Sequence, residues 1–228
     1  MLNKEYSMKS TALKLMVLAA CMLCLLPGPA SADILGFDPS SYTHIYWKYN
    51  GVASNGYAGS FQSVTLNGVE LPYLYCVDIF TSITPGYDYS YTQVNKLGNI
   101  YGSALNNAGQ VAWLLGAYAA SADTYDEQYA LQSTIWHVVR GSSFTLDTGT
   151  GKTTANQYSL YTQYLAALGS NTGNVSDFLW ISPKYSLNGP YYQGMVSGDP
   201  VPIPGAVYLL GSGLMGLAVL RRRMKKKE

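Results

Sequence analysis

Two kinds of side chain are scarce in this sequence, cysteine and charged residues. Only three of the 228 residues are cysteine, and charged side chains make up 12%. Cys21 and Cys24 fall within an N-terminal apolar run, so Cys76 is the one thiol expected in the mature domain. A lone cysteine excludes an internal disulfide, although an oxidising compartment would permit one. Such a thiol is a small buried hydrophobe, a link to another chain, or a group committed to other chemistry.

Metal and nucleic-acid sites are disfavoured as well. One cysteine and two histidines, His44 and His137, cannot complete the usual zinc ligand sets, and we expect no cofactor. The formal net charge of +1 arises at the chain ends. Between Asp33 and Pro200 five basic side chains face eleven acidic ones, a net charge of −6. Nucleic acid is therefore not an expected partner.

Residues 1–32 have the organisation of a secretory signal peptide. Lysines precede an apolar run from Leu15 to Leu26, and Ala30 and Ala32 supply the small residues of a cleavage site. The run is too short to remain as a membrane span. A lipoprotein is the alternative, because residues 18–21 have the form of a lipidation box ending at Cys21. Palmitate labelling that depended on Cys21 would favour it.

Residues 199–228 contain a second apolar segment with a basic end. Residues 201–204 read Val-Pro-Ile-Pro, and an apolar run from Ala206 to Leu220 follows. A positive cluster behind an apolar segment stays in the cytoplasm when the segment inserts. The motif and the cluster consist of Val201, Pro202, Pro204, Arg221, Arg222 and Arg223. A tail anchor is the simplest interpretation, although about 20 apolar residues are needed for a span.

This C-terminal arrangement closely resembles the PEP-CTERM sorting signal of Gram-negative bacteria. Ile203 stands where that family has a glutamate, whereas the apolar run and the arginine cluster match. The resemblance implies transient anchoring in the inner membrane and removal of the tail by an exosortase-type enzyme. It also implies release to the cell surface or the extracellular matrix.

The domain between these ends, residues 33–198, begins with a strand pattern. Residues 41–50 are rich in aromatic and β-branched side chains, which favour strands. Residues 56–66 and 69–80 are predicted as two more strands, joined by a hairpin turn at residues 67–68, Asn-Gly. Alternation along residues 69–80 places Cys76 and Asp78 on the same face.

Residues 81–108 form a tyrosine-rich stretch that we predict to be mostly loop, and a helical pattern follows it. Thr124 and Glu127 form a capping box before the second helix. The predicted helices are 108–120, 125–139 and 156–168, and the predicted closing strands are 178–182 and 191–196. This order predicts a mixed β/α fold, a β-sandwich or barrel with a helical insertion.

Gln132 lies on the apolar face of the second predicted helix, with Trp136 one turn further on. A thiol held against a glutamine carboxamide can attack its carbon, expel ammonia and leave a thioester. Tyr75 and Trp136 are candidates to exclude water from such a bond. The alternative is that Gln132 is a buried amide bonded to backbone and Cys76 is inert packing.

The two stretches resemble the Cys-Gln thioester domains of bacterial surface adhesins. The cysteine stretch is Tyr75-Cys76-Val77, and the glutamine stretch runs from Gln132 to Trp136 on a helix. The resemblance implies a thioester between Cys76 and Gln132 that captures amines or hydroxyls for covalent adhesion. Expected partners are surface amines or polysaccharide, on another cell or in the extracellular matrix.

Other functions stay open at this stage. Asp78 could assist proton transfer or be a solvated carboxylate. A hydrolase using Cys76 and His137 would need turnover, whereas a thioester reacts once, so we do not expect an enzyme. A non-covalent module could instead bind carbohydrate or matrix through tyrosine-rich loops at residues 87–91 and 191–192.

Overall fold

The computed structural model describes residues 32–199. The predicted cleavage residue Ala30 and the predicted sorting segment from Val201 onward lie outside the described residues, and both stay predictions. Within residues 32–199 no helix is long and apolar enough to cross a membrane.

Twelve strands and three α-helices occur within the described residues. The strands are β1 (Asp33–Phe37), β2 (Thr43–Tyr49), β3 (Val52–Ala58), β4 (Thr65–Leu66), β5 (Val69–Glu70), β6 (Tyr75–Cys76), β7 (Tyr87–Asn95), β8 (Asn99–Ile100), β9 (Ser103–Ala104), β10 (Phe144–Leu146), β11 (Phe178–Ser182) and β12 (Met195–Gly198). The helices are α1 (Ala108–Leu114), which continues into a π-helical segment (Leu115–Ala119), α2 (Tyr125–Arg140) and α3 (Ala155–Leu168). This is a mixed β/α fold, as predicted.

Seven of the strands form one curled antiparallel sheet, in the order β5-β4-β1-β7-β11-β12-β6. Its last member is the two-residue strand β6, which pairs with β12 on one side only. A smaller sheet has the order β10-β2-β3, and β8 pairs with β9. The edge position of β6 matters for the site, because the outward backbone groups of an edge strand have no ladder partner.

Asn-Gly pairs build two hairpins. Asn67 and Gly68 have φ values of 53° and 77°, and they join β4 to β5 as predicted. Asn50 and Gly51, with φ values of 49° and 80°, form the same kind of turn between β2 and β3. Positive φ at both positions is what a two-residue turn of matching twist requires. The predicted strand 56–66 was therefore wrong in its bounds. Strand β3 begins at Val52, directly after the turn, and ends at Ala58, and only Thr65–Leu66 of the remainder forms a strand, β4.

Three further strand predictions differ from the structure. Residues 69–80 are not one strand but β5 and β6 with an irregular stretch around Pro72, which has no backbone N–H for a ladder. The tyrosine-rich stretch predicted as loop contains β7, the longest strand described. The last strand runs from Met195 to Gly198 rather than from Tyr191. Strand β1 was not predicted.

Helix α2 is the most buried helix of the described chain. The predicted capping box is present: the Thr124 hydroxyl accepts from the Glu127 N–H, and the Glu127 carboxylate accepts from the Thr124 N–H. Gly141, with φ of +62°, follows its end as predicted. Ten of the eleven positions from Tyr129 to Val139 are buried, so the helix is enclosed over most of its circumference.

Helix α2 packs between the smaller sheet and α3. The Tyr129 hydroxyl bonds to the backbone of Tyr46 in β2, and the Trp136 ring meets Trp47 edge to face with centroids 4.9 Å apart. On its other side, Tyr161 of α3 lies 2.7 Å from His137 Nδ1. These contacts fix the rotation of α2 and hence the direction of Gln132.

The cap of α2 gives a first testable prediction. Thr124→Ala removes the side-chain acceptor for the Glu127 N–H, so it should lower the free energy of unfolding by about 1 kcal/mol in chemical denaturation. Thr162→Ala is the control, because Thr162 is an exposed residue inside α3 where alanine favours the helix. Equal losses in both variants would contradict the capping role.

Candidate functional site

The site is the point where α2 meets the edge strand β6. Cys76 and Gln132 are both fully buried, and the Gln132 carboxamide lies against the backbone of Cys76. The Cys76 N–H donates to Gln132 Oε1 at 2.8 Å, and Gln132 Nε2 donates to the Cys76 carbonyl at 2.7 Å. The structure therefore brings together the two residues that the sequence pairs.

This contact follows from the position of β6 in the sheet. The N–H and C=O of one strand residue point to the same side, and at an edge that side has no neighbouring strand. The Gln132 carboxamide presents one donor and one acceptor, so it pairs with Cys76 as another strand would. Nearby, the Phe61 N–H donates to the Leu74 carbonyl at 3.0 Å and covers the preceding part of the edge.

A second backbone donor reaches the same oxygen. The Gly59 N–H donates to Gln132 Oε1 at 3.1 Å, so this oxygen accepts two backbone N–H groups. Gly59 has φ of +103°, and a Cβ there would lie 2.9 Å from Thr43 Oγ1. Only glycine suits that backbone and that space. Two N–H groups on one carbonyl oxygen withdraw electron density from its carbon and stabilise negative charge on the oxygen.

Burial disfavours ionisation of the Cys76 thiol. Burial raises the pKa of Cys76 well above its usual range, and the Gly59 N–H beside the sulfur opposes this only in part. The negative charge of Asp78 raises the pKa further. The Gly59 N–H that bonds to Gln132 Oε1 thus also lowers the pKa of the Cys76 thiol to a small extent.

Asp78 has structural partners at both carboxylate oxygens. It forms a 2.9 Å ion pair with Arg140 at the end of α2, and it accepts from the Tyr101 hydroxyl at 2.9 Å. The Thr81 hydroxyl and the Phe80 N–H also donate to it. Asp78 thereby connects the segment after Cys76 to the end of α2, a contact that holds Gln132 in register with Cys76.

The two predicted aromatic neighbours have different positions. Trp136 is 1% exposed and lies one turn after Gln132 on the same face of α2, and its indole N–H has no hydrogen-bond partner among residues 32–199. Tyr75 is fully buried, but strand alternation directs it to the face opposite Cys76, where its ring meets Tyr73.

The His137 side chain points away from Cys76 and Gln132 and toward α3. Its Nδ1 lies 2.7 Å from the Tyr161 hydroxyl, and its ring packs edge to face on Phe144. Burial lowers the pKa of His137. A side chain engaged in this way between α2 and α3 has the contacts of a structural histidine.

Gly59 and Arg140 are parts of the site that the sequence patterns missed. Gly59 follows a strand and resembles any strand-ending glycine, so its role as a donor depends on a fold that was not predictable. Arg140 did carry a signal, because it is the only arginine between residues 33 and 200 and it directly precedes the helix-ending Gly141. Within residues 32–199 there is no group of three or more His, Cys, Asp or Glu side chains suited to a metal ion.

Comparison with protein-family models, with curated proteins and with solved structures finds no match for this chain. Function is therefore inferred from the sequence patterns and the geometry of Cys76 and Gln132.

Replacing Gln132 should destabilise the fold strongly, even where no thioester can form. In a Cys76→Ala background, Gln132→Leu leaves three buried backbone groups without partners and should lower the free energy of unfolding by about 3 kcal/mol. Gln128→Leu, one turn earlier, removes one half-exposed bond to the Ala122 carbonyl and should cost less than about 1 kcal/mol. Similar losses in the two variants, measured by chemical denaturation, would contradict the pairing of Gln132 with the strand edge.

Proposed function

We propose that the chain is an exported surface or matrix-associated protein whose Cys76 and Gln132 form an internal thioester for covalent adhesion. The observation that carries the proposal is the double hydrogen bond between the Gln132 carboxamide and the Cys76 backbone, with Gly59 as a second donor to the carbonyl oxygen. These bonds also satisfy a buried amide, and what favours the thioester is that they fix this carboxamide against the one cysteine of the described chain.

Bond formation balances without an added reactant. The Cys76 sulfur attacks the side-chain carbonyl carbon of Gln132, the C–N bond breaks, and the thiol proton leaves with the amide nitrogen as ammonia. The Cys76 and Gly59 N–H groups stabilise the oxyanion of the tetrahedral intermediate. The hydrogen bonds that fix the Gln132 carboxamide to the Cys76 backbone supply the effective concentration that the uncatalysed reaction lacks.

The surroundings suit the storage of such a bond. Complete burial of Cys76 and Gln132 keeps bulk water from the acyl carbon, and Trp136 covers the next turn of α2. An incoming amine or hydroxyl breaks the C–S bond, becomes joined to the side chain of residue 132, and returns a proton to sulfur. Each molecule reacts once, so the protein is an adhesin rather than an enzyme.

The proposed location rests on the two ends of the chain. Residues 1–32 direct export, and the segment from Val201 to Arg223 holds the protein in the inner membrane until an exosortase-type enzyme removes it. The strand-then-helix order of residues 33–198 fits the β-sandwich or barrel with helical insertion of a thioester domain. A thioester displayed in the matrix or at the surface would meet amines and polysaccharide there.

Methylamine labelling tests the thioester directly on the full-length chain. Trypsin cleaves after Lys48, Lys96 and Arg140, which separates Cys76 (residues 49–96) from Gln132 (residues 97–140). Methylamine should convert the Gln132 side chain to its N-methyl amide, adding about 14 Da to peptide 97–140, and should release Cys76 for alkylation. Before treatment, the intact protein should be lighter by about 17 Da, the mass of ammonia.

Two variants control this experiment. Cys76→Ala should abolish the methylamine adduct, since no thioester can form. Gln128→Ala alters a glutamine in the same peptide and should leave the adduct intact. A wild type at full mass, with Cys76 fully alkylated on unfolding and no adduct at residue 132, would overturn the proposal.

A further inference from the structure

A cleft of about 540 Å³ opens between the β2–β3 hairpin and residues 79–85, and Trp136, one helical turn after Gln132, forms part of its wall. We call it the aromatic cleft, because its walls include Tyr42, Trp47, Tyr57, Phe61, Phe80 and Trp136. Gly56 of β3 helps to shape it: a Cβ at that position would lie 3.2 Å from the Trp47 ring. The volume suits a ligand of a few sugar-sized units.

Among the described residues, no acidic, basic or histidine side chain lines the aromatic cleft. Its polar groups are neutral and consist of hydroxyls and amides, namely Ser54, Asn55, Thr81, Ser82 and Gln193. A charged ligand would lose water there, which is costly, and the nearby Arg140 guanidinium is already paired with Asp78. The net charge of −6 across the mature domain also opposes acidic polymers. The chemistry favours an uncharged ligand rich in hydroxyl groups.

Large aromatic rings at the mouth of the aromatic cleft are exposed to solvent. Tyr57 is 62% exposed and Tyr42 is 46% exposed, and their rings meet edge to face at 4.7 Å. Phe80 is 58% exposed and is held from behind by the Arg140 guanidinium, 4.3 Å from its ring centroid. Exposed rings that are fixed by such contacts lose little freedom when a ligand packs on them.

The floor of the aromatic cleft touches both segments that hold the Gln132 carboxamide. Trp136 belongs to α2, one turn or about 6 Å along the axis from Gln132. Phe61 lies two residues after Gly59, and its N–H donates to the Gly59 carbonyl. Because the Trp136 indole N–H has no partner among the described residues, displacing this ring breaks no hydrogen bond.

We propose that the aromatic cleft binds an uncharged saccharide chain and holds one of its hydroxyls for reaction at Gln132. The covalent step rests on the proposed thioester, whereas saccharide binding does not. In that step the hydroxyl oxygen bonds to the acyl carbon, the C–S bond breaks, and the hydroxyl proton goes to Cys76 sulfur. The product is an ester between the saccharide and the side chain of residue 132, with Cys76 restored as a thiol.

Binding is tested with the full-length Cys76→Ala chain, which cannot form the thioester. Tryptophan fluorescence should change saturably on addition of neutral glucan or galactan hexasaccharides, because Trp47 and Trp136 lie in the cleft wall. Alginate oligosaccharides, which carry a carboxylate on each unit, should bind at least about tenfold more weakly.

Matched tyrosine variants locate the site. Tyr57→Ala should weaken saccharide binding by roughly tenfold. Tyr185→Ala should leave it unchanged: Tyr185 is 56% exposed and, like Tyr57, meets another tyrosine edge to face, but it lies outside the aromatic cleft. No binding by the neutral panel, equal binding of alginate, or equal effects of the two variants would each overturn the cleft assignment.

The covalent half is tested on the wild-type chain with the tightest-binding neutral hexasaccharide. Peptide 97–140 should carry the saccharide as a hydroxylamine-sensitive ester at residue 132, and Tyr57→Ala should reduce its yield. Methylamine capture without any saccharide ester would overturn the covalent half and leave the thioester standing. Failure of methylamine itself would instead count against the proposed function, while the binding result with Cys76→Ala would still stand.

Discussion

The structure around Cys76 depends on how the free edge of β6 is satisfied. As a two-residue strand at the end of a seven-stranded sheet, β6 has an N–H and a C=O that pair with no further strand. Water cannot satisfy these groups, because Cys76 is fully buried. The Gln132 carboxamide supplies the matching acceptor and donor. An unmet backbone pair in this position would cost several kcal/mol, so β6, α2 and Gly59 are mutually dependent.

In the proposed thioester chemistry, the hydrogen bonds that stabilise the fold would also prepare the carboxamide for reaction. Donation from Cys76 and Gly59 to one carbonyl oxygen is useful both for burying a polar side chain and for stabilising negative charge that develops on that oxygen. Stability and chemistry therefore draw on one set of contacts. The Asp78–Arg140 ion pair adds a second connection, between the segment after β6 and the end of α2.

The aromatic residues of the chain serve two purposes. One group, including Trp136 and Phe144, is buried and sets the packing of α2 on the smaller sheet. Another, including Tyr42 and Tyr57, is exposed on β3 and the segment before β2, where it borders an uncharged cleft. Because charged groups are few, the proposed saccharide recognition would rely on ring faces, hydroxyls and amides.

Local chemistry was enough to predict the three described α-helices and one of the two Asn-Gly hairpin turns. The Thr124–Glu127 box, the helix-ending Gly141 and the turn at residues 67–68 are set by neighbours a few positions apart, so the sequence alone predicts them. The choice of Cys76 and Gln132 also came from sequence, through a lone thiol and a glutamine on an apolar helix face.

The tertiary structure decided what distant contacts control. Residues 87–95 became a central strand because β1 and β11 pair with them on either side, although their tyrosine-rich pattern was equally compatible with a loop. Residues 69–80 were divided because only residues 75 and 76 pair with β12. The role of Gly59 as a donor could not be predicted, because packing against Thr43 and α2 fixes the direction of its N–H. Gly59 is also more than 70 residues away from Gln132 in the chain. Pairing partners across a sheet are chosen by the whole fold, and no local pattern encodes them.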